Sequence, residues 1–122
     1  MARWTADQVA KIALPQEVQV ITRRRDGSQR STTIWIVGDG DRLFVRSTNG
    51  RTAAWFRSAI ATGSGQIVSG GEASDVTFAE AAQGDLPAVD TAYRRKYGHY
   101  ASIVDHLLED GPRVATLQVH PT

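Results

Sequence analysis

The strongest constraint on the fold is a pair of strands that are apolar on both faces. Ser31 to Val37 and Leu43 to Val45 flank Gly38-Asp39-Gly40-Asp41, and Gly or Asp at such a turn tolerates the positive φ of a tight hairpin. In the first strand Ile34 and Ile36 oppose Trp35 and Val37. In the second, Leu43 and Val45 oppose Phe44. Side chains alternate along a strand, so apolar residues at successive positions require both faces to be covered. In a chain of 122 residues that requirement points to a closed barrel with helices or a second subunit outside it.

The remaining segments read as follows. Thr5-Ala6-Asp7-Gln8 matches a capping box and predicts a short helix through Val9 and Ile12 that stops before Pro15. From Glu17 to Arg25, Val18, Val20 and Thr22 alternate with Gln19, Ile21 and Arg23, and Asp26-Gly27 turns the strand back. Arg51 to Thr62 is helical, with Ala53, Phe56 and Ile60 on one face and Trp55 and Ala59 close beside it, and Gly63-Ser64-Gly65 ends it. Gln66 to Ser69 and Ser74 to Ala79 form a second hairpin around Gly70-Gly71. Pro87 opens a helix that runs to about Tyr97, where Gly98 interrupts it. Tyr100, Ile103, Val104, Leu107 and Leu108 form an amphipathic stripe closed by Gly111-Pro112, and Val114 to Val119 is the last strand. The order α-βββ-α-ββ-αα-β, with mostly hairpin connections, predicts one α+β domain over residues 1–122 with an antiparallel sheet or barrel.

Charge is balanced overall and uneven locally. Fourteen basic against thirteen acidic residues leave a net +1, which provides no global attraction to nucleic acid or an anionic membrane. Arg24, Arg25 and Arg30 lie on either side of the first turn, where antiparallel pairing brings them together. Ser47, Thr48, Asn49 and Gly50 lead into a helix N-terminus. Clustered guanidinium groups and unpaired N–H groups are what an anionic ligand needs. The chain has no cysteine, which excludes disulfides, thiolate metal sites and a Cys nucleophile. No His-x-His or HExxH spacing and no G-x-S-x-G elbow occur, so neither a metal site nor a serine hydrolase is expected. Met1 to Thr5 lacks the apolar core of a signal peptide and no apolar run approaches the ~20 residues of a membrane span, so a cytoplasmic protein is expected.

Three motifs carry a family resemblance. They are Arg24-Arg25-Asp26-Gly27-Ser28-Gln29-Arg30, then Ser47-Thr48-Asn49-Gly50 with Trp55-Phe56 downstream, then Tyr97-Gly98-His99-Tyr100. In this order, from about Glu17 to Pro121, the chain resembles the pyridoxamine-phosphate-oxidase-like flavin-binding split barrels. Within them it is most similar to the deazaflavin-dependent nitroreductase family and an adjacent family of unknown function. Strands apolar on both faces in a chain with few helices leave a barrel wall that predicts a homodimer. The resemblance implies a small antiparallel split β-barrel flanked by short helices. It also implies FMN or a deazaflavin coenzyme held at its phosphate by Arg24, Arg25, Arg30 and the Ser47–Gly50 backbone. Tyr97 and Tyr100 would line the pocket and offer a phenol proton while the cofactor passes hydride to a small organic substrate. Asn49-Gly50 stands where the family has a double glycine, and Phe56 where it often has Tyr. The alternative is therefore a cofactor-free split barrel serving as a ligand-binding or interaction module.

Overall fold

The computed structural model describes residues 3–122. Met1 and Ala2, which open the polar N-terminal segment, lie outside the described residues. The first element is α1 (Ala6–Ile12), capped as its sequence predicts: Thr5 Oγ1 accepts from the Gln8 N–H at 3.1 Å and Gln8 Oε1 from the Thr5 N–H at 2.8 Å. Four strands follow: β1 (Val18–Arg23), β2 (Gln29–Ile34), β3 (Ile36–Asp39) and β4 (Arg42–Arg46). A 3₁₀ turn (Gly50–Thr52) leads into α2 (Ala54–Thr62), and β5 (Ser64–Ser69) and β6 (Glu72–Glu80) form the second hairpin. A second 3₁₀ turn (Gln83–Asp85), α3 (Leu86–Tyr97), α4 (Ala101–Leu107), the one-turn α5 (Asp110–Arg113) and β7 (Thr116–Pro121) complete the chain.

All seven strands pair antiparallel in the order β2-β1-β5-β6-β7-β4-β3. The two edge strands, β2 and β3, are consecutive in sequence with only Trp35 between them. Strands one residue apart cannot lie far from each other, so the sheet must curl until its edges meet at Trp35. The result is a small antiparallel split β-barrel flanked by short helices, an α+β fold. The stretch expected as one strand from Ser31 to Val37 is two, and Trp35 is the corner.

Alternation then sorts the side chains. Val18, Val20, Ile34, Ile36, Leu43, Val45, Ile67, Leu117 and Val119 form an inner cluster, to which α2 adds Trp55, Phe56 and Ala59 and α1 adds Val9. Gly38 lets α1 approach the barrel, because a Cβ there would stand 2.5 Å from Val9 Cγ1. Val37 and Phe44, on the opposite faces of β3 and β4, form a second cluster with Val89, Tyr93 and Tyr97 of α3 and Val104 and Leu107 of α4. Full burial of one such side chain is worth about 1.5–3 kcal/mol. The outer wall of β3 and β4 is thus covered by the same chain, without a second subunit.

Three local expectations are corrected. Ile60 is 40% exposed, because α2 turns the larger Trp55 toward the barrel along with Phe56 and Ala59. Ile103 is 44% exposed, because Val104 and Leu107 of its stripe fill the second cluster, with Tyr100 and Leu108 packed partly buried against it, and Ile103 is left on the outer side. Gly111-Pro112 lies within α5 instead of ending a helix.

Candidate functional site

The arginines expected at the first hairpin are brought together. Pairing of β1 with β2 sets Thr22 opposite Arg30 and Arg23 opposite Gln29. The turn closes through Arg24 N–H to the Ser28 carbonyl at 2.8 Å and Gly27 N–H to the Arg24 carbonyl at 3.0 Å, with Gly27 at φ +86°. Asp26 Oδ1 accepts from the Ser28 hydroxyl at 2.6 Å and its N–H at 2.9 Å. These bonds, with a smaller contribution from the Arg24 charge, hold its carboxyl below the ordinary value. One aspartate thereby shapes the turn that carries the cations.

Arg23, Arg24, Arg25 and Arg30 line a cleft of about 450 Å³ whose other wall is the outer face of α2, including Arg57. No carboxylate lines this cleft, and none of these five arginines forms an ion pair among the described residues. Arg30 Nε is buried and has no hydrogen-bond partner. The N-cap of α2 is Ala53, which offers no side-chain acceptor, and the first turn holds no acidic residue. A nine-residue helix therefore presents uncapped N–H groups at its start beside uncompensated positive charge.

The Ser47–Gly50 loop lies on the other side of the start of α2. Ser47 N–H donates to the Ala115 carbonyl at 3.1 Å and Gly50 N–H to the Ser47 carbonyl at 3.1 Å. His106 Nε2 meets the Thr48 carbonyl at 2.7 Å, tying the loop to α4. Positive φ falls at Gly50 (+71°), while Asn49 takes φ −95°, a conformation open to any residue. Asn in place of Gly therefore costs the backbone nothing here. Thr48, Asn49, Thr52, His106 and Pro112 line a second cleft of about 620 Å³. Both clefts border the start of α2, with Ala53 lining one and Ala54 the other.

Tyr97 and Tyr100 form a third region. Tyr97 is 1% exposed and stacks on Trp35 with ring centres 3.9 Å apart. Its hydroxyl donates to the Gln16 carbonyl at 2.6 Å, with the Ile36 carbonyl at 3.3 Å, and burial pushes its pKa up. Tyr100 is half-buried; its hydroxyl donates to Gln16 Oε1 at 3.3 Å and its ring centre is 5.5 Å from that of Trp35. Gly98 is the C-cap of α3 between them, and a Cβ at this position would stand 2.5 Å from the Arg94 carbonyl oxygen.

Two features escape sequence reasoning. Arg57 joins the cleft from a helix distant in sequence, and its only signal is its place three residues after Ala54 on the exposed face of α2. Arg46 is wholly buried: Nη1 donates to Asp90 Oδ1 at 2.7 Å and the Leu107 carbonyl at 3.0 Å, and Nε to Thr116 Oγ1 at 2.8 Å. Arg113 holds the same Asp90 at 3.1 Å. Arg46 shares a face with Phe44, so the covering of that face was the available hint. Among the described residues no group of three His, Asp or Glu side chains is arranged to hold a metal, and no helix is long and apolar enough to cross a membrane.

The barrel closed at Trp35, with helices on its outer wall and an arginine-lined cleft at α2, is a split β-barrel fold. Residues 8–119 match the family described as an uncharacterized protein conserved in bacteria (DUF2255), and the chain belongs to that family. Solved structures show the same fold. An F420-H2 dependent reductase aligns with a TM-score of 0.65 at 15% identity, covering 86% of this chain and 93% of its own. A putative pyridoxamine 5'-phosphate oxidase from Listeria innocua gives 0.62 at 11% identity, covering 93% and 87%. The heme storage protein HutZ from Vibrio cholerae gives 0.68 at 12% identity, covering 98% and 91%. No curated protein matches the sequence.

Proposed function

We propose that this protein is a flavin- or deazaflavin-binding oxidoreductase acting in the cytoplasm on a small organic substrate. The observation that carries the reading is the cleft of five arginines without a carboxylate partner beside the uncapped start of α2. Its residues fit a phosphate: guanidinium forks match phosphate oxygens, uncapped N–H groups favour an anion, and the orphaned Arg30 Nε lacks an acceptor. In this reading Arg24, Arg25, Arg30 and Arg57 bind the phosphate of FMN or of a deazaflavin coenzyme. The Ser47–Gly50 backbone, held in place by His106, closes the far side of α2. Bound there, the cofactor supplies hydride transfer. Tyr100 offers the phenol that orients substrate or gives up a proton, and Tyr97 fixes the position of Trp35 beneath it. Ile60, Ile103 and Val114 are apolar surface left uncovered, and a two-fold dimer is proposed to bury part of it.

The test is a fluorescence titration of the purified protein with FMN and with reduced and oxidised deazaflavin coenzyme, paired with visible spectra of the protein as isolated. Saturable binding that weakens in Arg30→Ala and Arg57→Ala supports the reading. No binding of either cofactor by folded protein favours the second reading, a cofactor-free ligand-binding module. That reading draws on the presence of a heme storage protein on this fold and on the commitment of the Tyr97 hydroxyl to backbone carbonyls.

A further inference from the structure

The cleft along α2 is longer and more strongly charged than a single phosphate requires. Its helix wall is the stripe Ala54, Arg57, Ser58, Ala61 and Thr62, spaced i, i+3, i+4, i+7 and i+8. The rise from Ala54 to Thr62 is about 12 Å, so the cleft follows the whole of α2 instead of ending at its first turn. Ser58 is half-buried and the other four are exposed, which leaves the trough open to solvent along its length. Across from this wall Arg23, Arg24 and Arg25 are exposed as well.

Volume and charge both exceed one anionic group. A water claims about 30 Å³ of liquid, so a phosphate of five heavy atoms fills about 150 Å³. The cleft holds about 450 Å³. A phosphate monoester carries about two negative charges near pH 7, against five guanidinium groups and no carboxylate among the lining residues. Phosphate binding by Arg24, Arg25, Arg30 and Arg57 leaves Arg23 without an anion. Arg23 and Thr62 line the cleft together, and both also line a neighbouring groove beside Ser64. Thr62 is the last residue of α2, so Arg23 stands toward the end of the trough opposite the helix start. Arg23 Nη1 donates to the Gly27 carbonyl at 3.1 Å, which anchors the guanidinium at the turn. Its other donors have no protein acceptor among the described residues and remain for a ligand.

We propose that the trough binds a diphosphate, one phosphate near the start of α2 on Arg30 and Arg57 and the second toward its end on Arg23. This assignment rests on the arginine cleft being a phosphate site. It narrows the ligand to one with two phosphates in series, the diphosphate of a dinucleotide or a nucleoside, over a monophosphate such as FMN.

The probes are inorganic phosphate and pyrophosphate, titrated calorimetrically into the full chain. Pyrophosphate should bind at least roughly tenfold more tightly than phosphate. Arg23→Gln keeps a polar stem and deletes the charge, so it should weaken pyrophosphate by roughly tenfold and leave phosphate unchanged. Arg95→Gln, which removes the same charge from an exposed position on α3, should change neither. Should Arg23→Gln disturb the turn, NMR of the unmodified protein decides: pyrophosphate must shift the Arg23 Nε–H resonance and phosphate must not. FAD and ADP then identify the source of the diphosphate. Tighter binding of FAD assigns it to a flavin dinucleotide, and equal binding to an adenine nucleotide alone. Pyrophosphate no tighter than phosphate overturns the second phosphate position while leaving the first intact, as does an equal loss in Arg23→Gln and Arg95→Gln. Binding of neither anion by folded protein overturns both.

Discussion

Arg30 differs from its neighbours on the hairpin because part of its guanidinium is already desolvated without an acceptor. Burying a donor without a partner costs free energy, and an arriving phosphate oxygen removes that cost. Arg30→Ala should therefore weaken cofactor binding by about 1–3 kcal/mol, the scale of a lost charge-assisted bond, as should Arg57→Ala. The exposed Arg24→Ala and Arg25→Ala should change folding stability by no more than about 0.5 kcal/mol. Fluorescence titration and urea melts read the two effects separately. The tyrosines should part company. Tyr97→Phe removes the hydrogen bond to Gln16 and should cost about 1 kcal/mol of stability. Tyr100→Phe should lower turnover about 10²-fold with little change in melting. Equal turnover in both variants of cofactor-loaded protein would remove Tyr100 from the chemistry. Lys96 adds a pH dependence. Its amine titrates near 8 when folded against 10.5 when unfolded, so between those values the unfolded chain holds more protons. Stability relative to Lys96→Met should therefore rise as pH climbs from 8 toward 10, measured by urea denaturation at each pH. Above 10 the buried Tyr93 and Tyr97, whose pKa values are raised, act in the opposite sense in both proteins.

At the level of elements, Asp90 joins α3 to β4 through Arg46 and to α5 through Arg113. Thr116 and the Leu107 carbonyl bring β7 and α4 into the same knot. Removing the carboxylate leaves a fully buried guanidinium unpaired, so Asp90→Ala should destabilise by about 3–5 kcal/mol in urea denaturation. Thr116→Val removes one neutral acceptor and should cost nearer 1 kcal/mol. Near-equal values for the two would mean that solvent reaches Arg46 in the variant. The knot also bears on the candidate site, because β4 ends at Arg46 and the Ser47–Gly50 loop begins at the next residue. His106 then pins that loop to α4. The orientation of α2, and so of both clefts, is set by elements from the far end of the chain.

For the whole molecule, closure of the sheet at Trp35 means that the barrel wall needs no partner where α3 and α4 cover it. A dimer would have to form through the apolar residues that remain exposed, Ile60, Ile103 and Val114 among them. Sedimentation at high micromolar concentration should show a dimer, and a monomer there would remove the proposed assembly while leaving the arginine cleft intact. Ile103→Asp is the simplest disrupting variant, since its side chain lies outside the core clusters and the monomer should keep its melting temperature.

Local chemistry was legible in the sequence. The Thr5–Gln8 cap, the turn at Gly27, the end of α2 at Gly63 and the two-faced strands around Gly40 all form as their residues predict, because each depends on neighbours within a few positions. Apolar alternation also separated Ile34, Ile36, Leu43 and Val45 from Val37 and Phe44 before any contact was known. It could not say what would cover the outer face, and the answer, α3 and α4, depends on contacts formed some fifty residues later in the chain. The arginine cleft was half visible: Arg24, Arg25 and Arg30 meet through a hairpin, a short-range event, whereas Arg57 arrives only when α2 packs against β1. Arg46 and Lys96 were invisible for the same reason. A charged residue at a strand or helix end reads as solvated until tertiary packing decides that another element lies over it.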